Sequence, residues 1–242
     1  MDHTSLKSNV AIIVPVVGDV EILSALLKRI DGWPVAPQEI IVVSGRQDPQ
    51  LTVRCRKHAC RLVDMHANRG AQLDRGAREA RASILWFMHA DVLPPADGLE
   101  AIASAFAKGV ESGCFRFEFQ GDRSWYKDLL AWLTGLRIRL GGIPYGDQGL
   151  FVRRDSYLEC GGFPHQPLFE EVRLVKRLRK RGTFRPLAQS VAVSTRRWER
   201  DGWWTRTWHN RWLALCHMLG VPADRLANSY HQTEGTETGF GA

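Results

Sequence analysis

The sequence predicts an α/β protein: a mostly parallel central sheet with helices on both faces and a helical extension at the C-terminus. Three observations carry this. From Val10 to Asp91, short apolar runs alternate with segments whose apolar residues recur at helical spacing, the pattern of a doubly wound sheet. The run Ile84-Leu-Trp-Phe-Met88 is apolar throughout and stops abruptly at His89-Ala90-Asp91, as a strand buried on both faces does where its sheet meets solvent. Near the other end of the chain, Trp203 to Leu219 reads as a last helix.

In order, Val10 to Val17 is a valine-rich strand with Pro15 near its exit. Val20 to Ile30 places Ile22, Leu23, Leu26, Leu27 and Ile30 on one helical face, and Gly32 and Pro34 stop it. Glu39 to Val43 is a second buried strand, followed by a polar loop from Ser44 to Pro49. Leu51 to Ala59 is helical, Arg61 to Met65 a third strand, and Ala71 to Ala82 an alanine-rich helix leading to the strand that ends at Asp91. Leu99 to Lys108 is a helix, Gly113 to Phe119 alternates like a half-exposed strand, and Trp125 to Arg139 is a longer amphipathic helix. A glycine-rich loop from Gly141 to Gly149 precedes a short strand to Val152. Glu170 to Arg181 is a basic helix, and two short strands are expected near Phe184 to Leu187 and Val191 to Thr195. The expected organisation is one domain over residues 10–198, a helical extension of it over 199–230, and a polar, disordered tail over 231–242.

Composition narrows the partners. The chain has 33 basic and 26 acidic residues, a net charge of +7, which favours an anionic partner: nucleotide phosphates, a membrane surface or nucleic acid. Basic residues are spread along helices such as Arg173 to Arg181 without a nucleic-acid motif, so no nucleic acid is expected. The five cysteines are scattered and contain no Cys-x-x-Cys, which argues against a disulfide scaffold or zinc site and fits a cytoplasmic protein. Neither a signal peptide nor a spanning segment is apparent, so any membrane contact is expected to be peripheral, at the inner face.

The chemistry-bearing residues fall at strand ends: Gly18-Asp19, Ser44 to Asp48, His89 to Asp91 and Asp147-Gln148. In a parallel sheet such ends gather on one edge, where α/β proteins bind ligands. Asp91 is a hard oxygen ligand and His89 a nitrogen ligand; together they could hold a divalent cation that serves phosphates, or form a solvated strand end. Glu170-Glu171 opens a helix, where an ionised carboxylate could act as general base towards a hydroxyl or simply favour the helix start. In the last helix Trp204, Trp208 and Trp212 recur every four residues, with Arg200, Arg206 and Arg211 among them. The favoured expectation is that these rings pack back on the domain; the alternative is an interfacial membrane contact.

Six ordered blocks carry a resemblance: Arg69-Gly-Ala-Gln72-Leu, His89-Ala-Asp91, Pro144-Tyr-Gly-Asp147-Gln148-Gly-Leu-Phe, Gly161-Gly-Phe-Pro164, Pro167-Leu-Phe-Glu170-Glu171 and Arg196-Arg197-Trp198. From about Val10 to Tyr230 the chain resembles the family 2 glycosyltransferases with the Rossmann-like GT-A fold, and within them a small subgroup with His-Ala-Asp in place of Asp-x-Asp. The resemblance implies transfer of a sugar, with inversion, from a nucleotide-diphosphate donor to an acceptor hydroxyl, a lipid-like or small molecule. It implies Mg²⁺ or Mn²⁺ at Asp91 with His89 beside it, Glu171 as base with Glu170 as runner-up, and the diphosphate near Arg196, Arg197 and Trp198. Pro15, Asp19, Ser44, Asp48, Arg69, Gln72 and Ala90 would line the nucleotide pocket, and Asp147 and Gln148 would meet the sugar.

The chain also departs from the family pattern. Ser44 stands for an aspartate that binds the nucleoside, Asp19 for a glutamate, Asp74 for an asparagine, and Glu171 for the aspartate of a Glu-Asp pair. These changes leave open a catalytically impaired nucleotide-sugar-binding relative. A nucleotidyltransferase is a further alternative, although Val16-Val17-Gly18-Asp19 supplies no glycine-rich phosphate loop.

Overall fold

A computed structural model describes residues 8–223 and 225–227. The elements run β1 (Val10–Val16), α1 (Val20–Asp31), β2 (Glu39–Ser44), α2 (Pro49–Lys57), β3 (Arg61–Asp64), α3 (Arg69–Glu79), β4 (Ile84–Phe87), β5 (Val92–Leu93) and α4 (Gly98–Ala107). They continue through β6 (Ser112–Phe119), α5 (Trp125–Arg139), β7 (Phe151–Arg153), α6 (Arg154–Glu159), α7 (Glu170–Arg181), β8 (Phe184–Val193), α8 (Arg196–Asp201) and α9 (Trp203–Met218).

One sheet runs in the order β3-β2-β1-β4-β7-β6-β8-β5. Its first four strands are parallel, β7 is antiparallel to both neighbours, and β6 and β8 are again parallel. Successive residues of a strand face opposite sides. In β1, Val10, Ile12, Val14 and Val16 therefore join α1, α2 and α4 in one core layer, while Ala11 and Ile13 join α3, α6 and α7 in the other. A strand buried on both faces must be apolar throughout, which is why β1, β2 and β4 read as unbroken apolar runs. The fold is the α/β sandwich expected of the GT-A type.

Two details differ from expectation. β8 is one ten-residue strand, and the break read between two strands is a bulge: Cys114 pairs with Pro186, but Arg116 pairs with Ser190. β4 stops at Phe87, and the chain crosses to the far edge of the sheet, where β5 pairs antiparallel with β8. His89, Ala90 and Asp91 lie in that crossing.

The tryptophans of α9 overturn the favoured packing expectation. Trp204, Trp208 and Trp212 are 57%, 70% and 63% exposed. Arg206 and Leu213 form the buried side of the helix, and at 100° per residue the three rings fall about half a turn away. Arg206, read as lying among those rings, is instead buried and ion-paired to Asp201 at 3.1 Å. Trp203 alone turns inwards, edge-on to Phe119 and Tyr126. Among the described residues, no helix is long and apolar enough to cross a membrane. The tail expected over 231–242 lies outside the described residues.

Candidate active site

A cavity of about 790 Å³ opens where the strands β1, β4 and β8 end. Pro15, Val16 and Asp19 come from the end of β1, His89 to Asp91 from the crossing after β4, and Val193 and Ser194 from β8. Three helix starts complete it: Arg69 and Gln72 from α3, Glu171 from α7, and Arg196 with Arg197 from α8.

Each start is fixed locally. Asn68 caps α3 by accepting from the Ala71 N–H at 3.0 Å, an arrangement that sets the position of Arg69. A Cβ on Gly70 would stand 2.1 Å from the Pro164 carbonyl oxygen, so only glycine lets the Arg69-Gly70 turn lie against the 164–166 loop. Arg69 then reaches Glu170 with two bonds, Nε to Oε1 and Nη2 to Oε2, the latter at 3.1 Å. Glu170 is completely buried, so the charge-assisted pair compensates for its loss of water.

The start of α7 rests on an unusual backbone. Phe169 sits at φ 59°, a left-handed conformation that costs energy for a bulky side chain. Its ring is held between His217 of α9, stacked at 4.7 Å, and Tyr145 at 5.9 Å, within a small core that includes Leu168, Leu213 and Leu226. The packing of α9 thereby helps to fix the direction in which Glu170 and Glu171 leave the loop.

Glu171 is buried, and neither of its carboxylate oxygens makes a well-formed hydrogen bond. Burial, followed by the charge of Glu170, pushes its pKa far above the usual carboxylate range, and Arg69 offsets only part of this. His89 faces it: a Cβ on Gly146 would lie 2.4 Å from His89 Nε2 and 2.6 Å from Glu171 Oε1. Burial and then Arg69 hold the His89 pKa well below its ordinary value, which keeps the imidazole neutral. Asp147 is pushed up to about 6, by burial and then by the charge of Asp91.

Of the residues singled out from the sequence, Pro15, Asp19, Arg69, Gln72, His89, Ala90, Asp91, Asp147, Glu171, Arg196, Arg197 and Trp198 all line the cavity. The other four do not. Ser44 is buried and turns its hydroxyl onto the Arg46 carbonyl. Asp48 caps α2, accepting from the Gln50 N–H at 2.9 Å. Gln148 folds back to accept from the Tyr145 N–H at 3.1 Å, and Glu170 lies behind the wall, held by Arg69. Gln72, although at the wall, donates to the carbonyls of Val16 and Val43 and so ties β1 to β2. Tyr145, Arg206, Asn210 and Leu213 also line the cavity, beyond the residues expected there from the sequence. For Tyr145 the signal was present, since it lies within the Pro144 to Phe151 block.

The donors here suit a divalent cation. His89, Glu170 and Glu171 offer ligand atoms within 4.8 Å of one another, and His89 Nε2 and both Glu171 oxygens are buried without hydrogen-bond partners. Asp91 is outside that trio, half-buried on the cavity wall. One imidazole with hard carboxylates is chemistry suited to Mn²⁺ or Mg²⁺.

The family model described as glycosyl transferase family 2 matches residues 11–162. The chain belongs to this family. The match covers the sheet from β1 through α6, and the two glutamates of α7 lie beyond it. Solved structures of glycosyltransferases share the fold at low identity. Glucosyl-3-phosphoglycerate synthase from Mycobacterium tuberculosis, in complex with Mn²⁺ and UDP-glucose, is 15% identical with a TM-score of 0.56, over 77% of this chain and 70% of that one. The mannosyltransferase PcManGT from Pyrobaculum calidifontis, with GDP-mannose and Mn²⁺, is 16% identical with a TM-score of 0.61, over 86% and 61%. TarS from S. aureus (residues 1–349) is 11% identical with a TM-score of 0.61, over 78% and 61%. This family 2 chain thus spans less than two thirds of the length of the last two. No curated protein matches it significantly.

Proposed function

We propose that this chain transfers a sugar from a nucleotide-diphosphate donor to an acceptor hydroxyl, with inversion at the anomeric carbon, and that it belongs to the subgroup with His-Ala-Asp at the cation site. The observation that carries the reading is Glu171, a buried carboxylate of raised proton affinity on the wall of a cavity of nucleotide-sugar size. Inversion takes one displacement. The acceptor oxygen bonds to the anomeric carbon as its proton passes to ionised Glu171. The bond from that carbon to the diphosphate oxygen breaks, and the electron pair leaves with the diphosphate. Glu171 lines the cavity and has raised proton affinity, while Glu170 is committed to Arg69.

Arg196 and Arg197 would receive the departing charge, since guanidinium groups pair bidentately with phosphate oxygens. Asp91 would hold Mg²⁺ or Mn²⁺, with His89 as the neighbouring donor; once bound, the cation supplies Lewis-acid stabilisation of the leaving diphosphate. Mn²⁺ in the complexes of the Mycobacterium tuberculosis and Pyrobaculum calidifontis enzymes supports a divalent cation. With Ser44 and Asp48 turned away, Asp19 and Pro15 would meet the nucleoside.

A thermal-shift screen of nucleoside diphosphates and nucleotide sugars, with and without Mn²⁺, tests the reading. At least one nucleotide sugar should raise the melting temperature further when Mn²⁺ is present and should be turned over to free nucleoside diphosphate. A chain that responds to none of them is not a glycosyltransferase of this kind.

A further inference from the structure

Away from the cavity, the large apolar side chains that meet solvent are concentrated on two helices. Among the described residues all but Val17 and Val53 lie on α5, on α9 or on the leucine that caps each. On α5 they are Trp125, Leu129, Trp132 and Leu136, continued by Leu140; on α9, Trp204, Trp208, Trp212 and Leu215, continued by Leu219, with Met218 exposed beside them. Spacings of three and four residues put each set on a single stripe. α5 is fifteen residues long and buries only Ile138. The stripes start at a common joint, where Tyr126 of α5 meets Trp203 of α9 at 4.8 Å.

The charge on these helices has one sign. α9 carries no acid, and the single acid of α5, Asp128, is paired with Arg123 at 3.0 Å. Arg139 and Arg211 are exposed beside the stripes, in a chain of net charge +7. A second copy on this face would set those arginines against their own equivalents, whereas an anionic surface would pair with them. Tryptophan favours the membrane–water interface, and arginine the anionic headgroups. Beneath α5 lies a groove of about 700 Å³, where Phe117, Leu187, Trp132 and Leu136 share the walls with Arg116, Lys127 and Arg139 and with the acids Glu118 and Asp128.

We propose that α5 and α9 dock this chain onto an anionic phospholipid bilayer, their tryptophans in the headgroup layer. The opposite side of α9 supplies Arg206, Asn210 and Leu213 to the reaction cavity. Docking therefore sets that cavity beside the bilayer, within reach of a hydroxyl carried by a lipid. That consequence rests on the proposed glycosyl transfer; the docking does not.

Flotation of the full chain with phosphatidylcholine vesicles, with and without phosphatidylglycerol, tests the docking without donor or acceptor. Binding is expected to the anionic vesicles alone, with a blue-shifted tryptophan emission. The double variants Trp125→Ala/Trp132→Ala and Trp208→Ala/Trp212→Ala should each abolish the blue shift and most of the binding, at unchanged secondary structure. Arg139→Gln and Arg211→Gln should each weaken binding about fivefold. Failure to bind either vesicle, equal binding to both, or binding indifferent to the tryptophan pairs would overturn the proposal. So would a dimer in solution that those same pairs dissolve.

Discussion

Gly146 and Glu171 are mutually dependent: a methyl group on Gly146 would stand 2.6 Å from Glu171 Oε1 and 2.4 Å from His89 Nε2. With a methyl group at 146, the Glu171 carboxylate and the His89 ring could not both keep their present positions against the 144–149 loop. Gly146→Ala should displace the carboxylate, the loop or both. Misplacing a reacting group by about 1 Å can cost about 100-fold in rate, so kcat/KM should fall by that order. Steady-state kinetics check this, and near-normal turnover would mean that the Glu171 carboxylate need not stay where it is.

Glu171 makes the fold depend on pH in a direction opposite to that of a salt-bridged acid. Its folded pKa is raised to about 8, above its ordinary value, so the folded protein holds a proton that the unfolded chain releases. Its stabilising contribution is therefore complete at acid pH and is lost as pH rises through about 8. In metal-free protein, Glu171→Gln should match the wild type near pH 4 and exceed it in melting temperature at pH 8. A variant less stable than the wild type at pH 8 would place the carboxylate in a stabilising interaction instead.

Arg69 and Glu170 form the ion pair that backs the cavity wall. Arg69→Met leaves a fully buried carboxylate unpaired and should cost about 3 kcal/mol, the lower end for such breaks because Arg69 itself is partly exposed. Arg69→Met/Glu170→Gln should recover a good part of the loss. Urea denaturation of both variants gives the comparison, and equal stabilities would show that the pair is not coupled.

Nucleoside contacts should follow the cavity rather than the family pattern. Asp19→Asn is expected to weaken binding of the donor nucleotide about tenfold, the loss of one charge-assisted hydrogen bond. Ser44→Ala and Asp48→Ala should leave binding unchanged, since neither residue lines the cavity. Calorimetric titration with the nucleotide found in the thermal-shift screen distinguishes them; a tenfold loss in Ser44→Ala would return that position to the nucleoside site.

The sheet was legible because burial writes itself into composition: β1, β2 and β4 could not face core on both sides and be anything but apolar. α5 was legible to the residue, its helical spacing intact from Trp125 to Arg139. Side-chain direction was not. Ser44 and Asp48 end or follow a strand as a ligand-binding residue would, yet each satisfies a backbone group in its own turn. The direction of the α9 tryptophans depends on which residues the helix buries, and that is set by Phe169 and Leu168, over 30 positions earlier in the chain. The left-handed backbone of Phe169 had no local signal either, since glycine or asparagine is the usual mark of that conformation.

In the proposed reaction two roles are separable: Asp91 would hold the cation and Glu171 would take the proton. Mn²⁺ binding in the presence of nucleoside diphosphate, followed by electron paramagnetic resonance in Asp91→Asn and Glu171→Gln, tests this most directly. Asp91→Asn should lose the bound Mn²⁺ signal, while Glu171→Gln should retain it at near-normal affinity and lose turnover. If Glu171→Gln loses the metal and Asp91→Asn keeps it, the cation belongs to the His89, Glu170 and Glu171 cluster, and Glu171 is not the base.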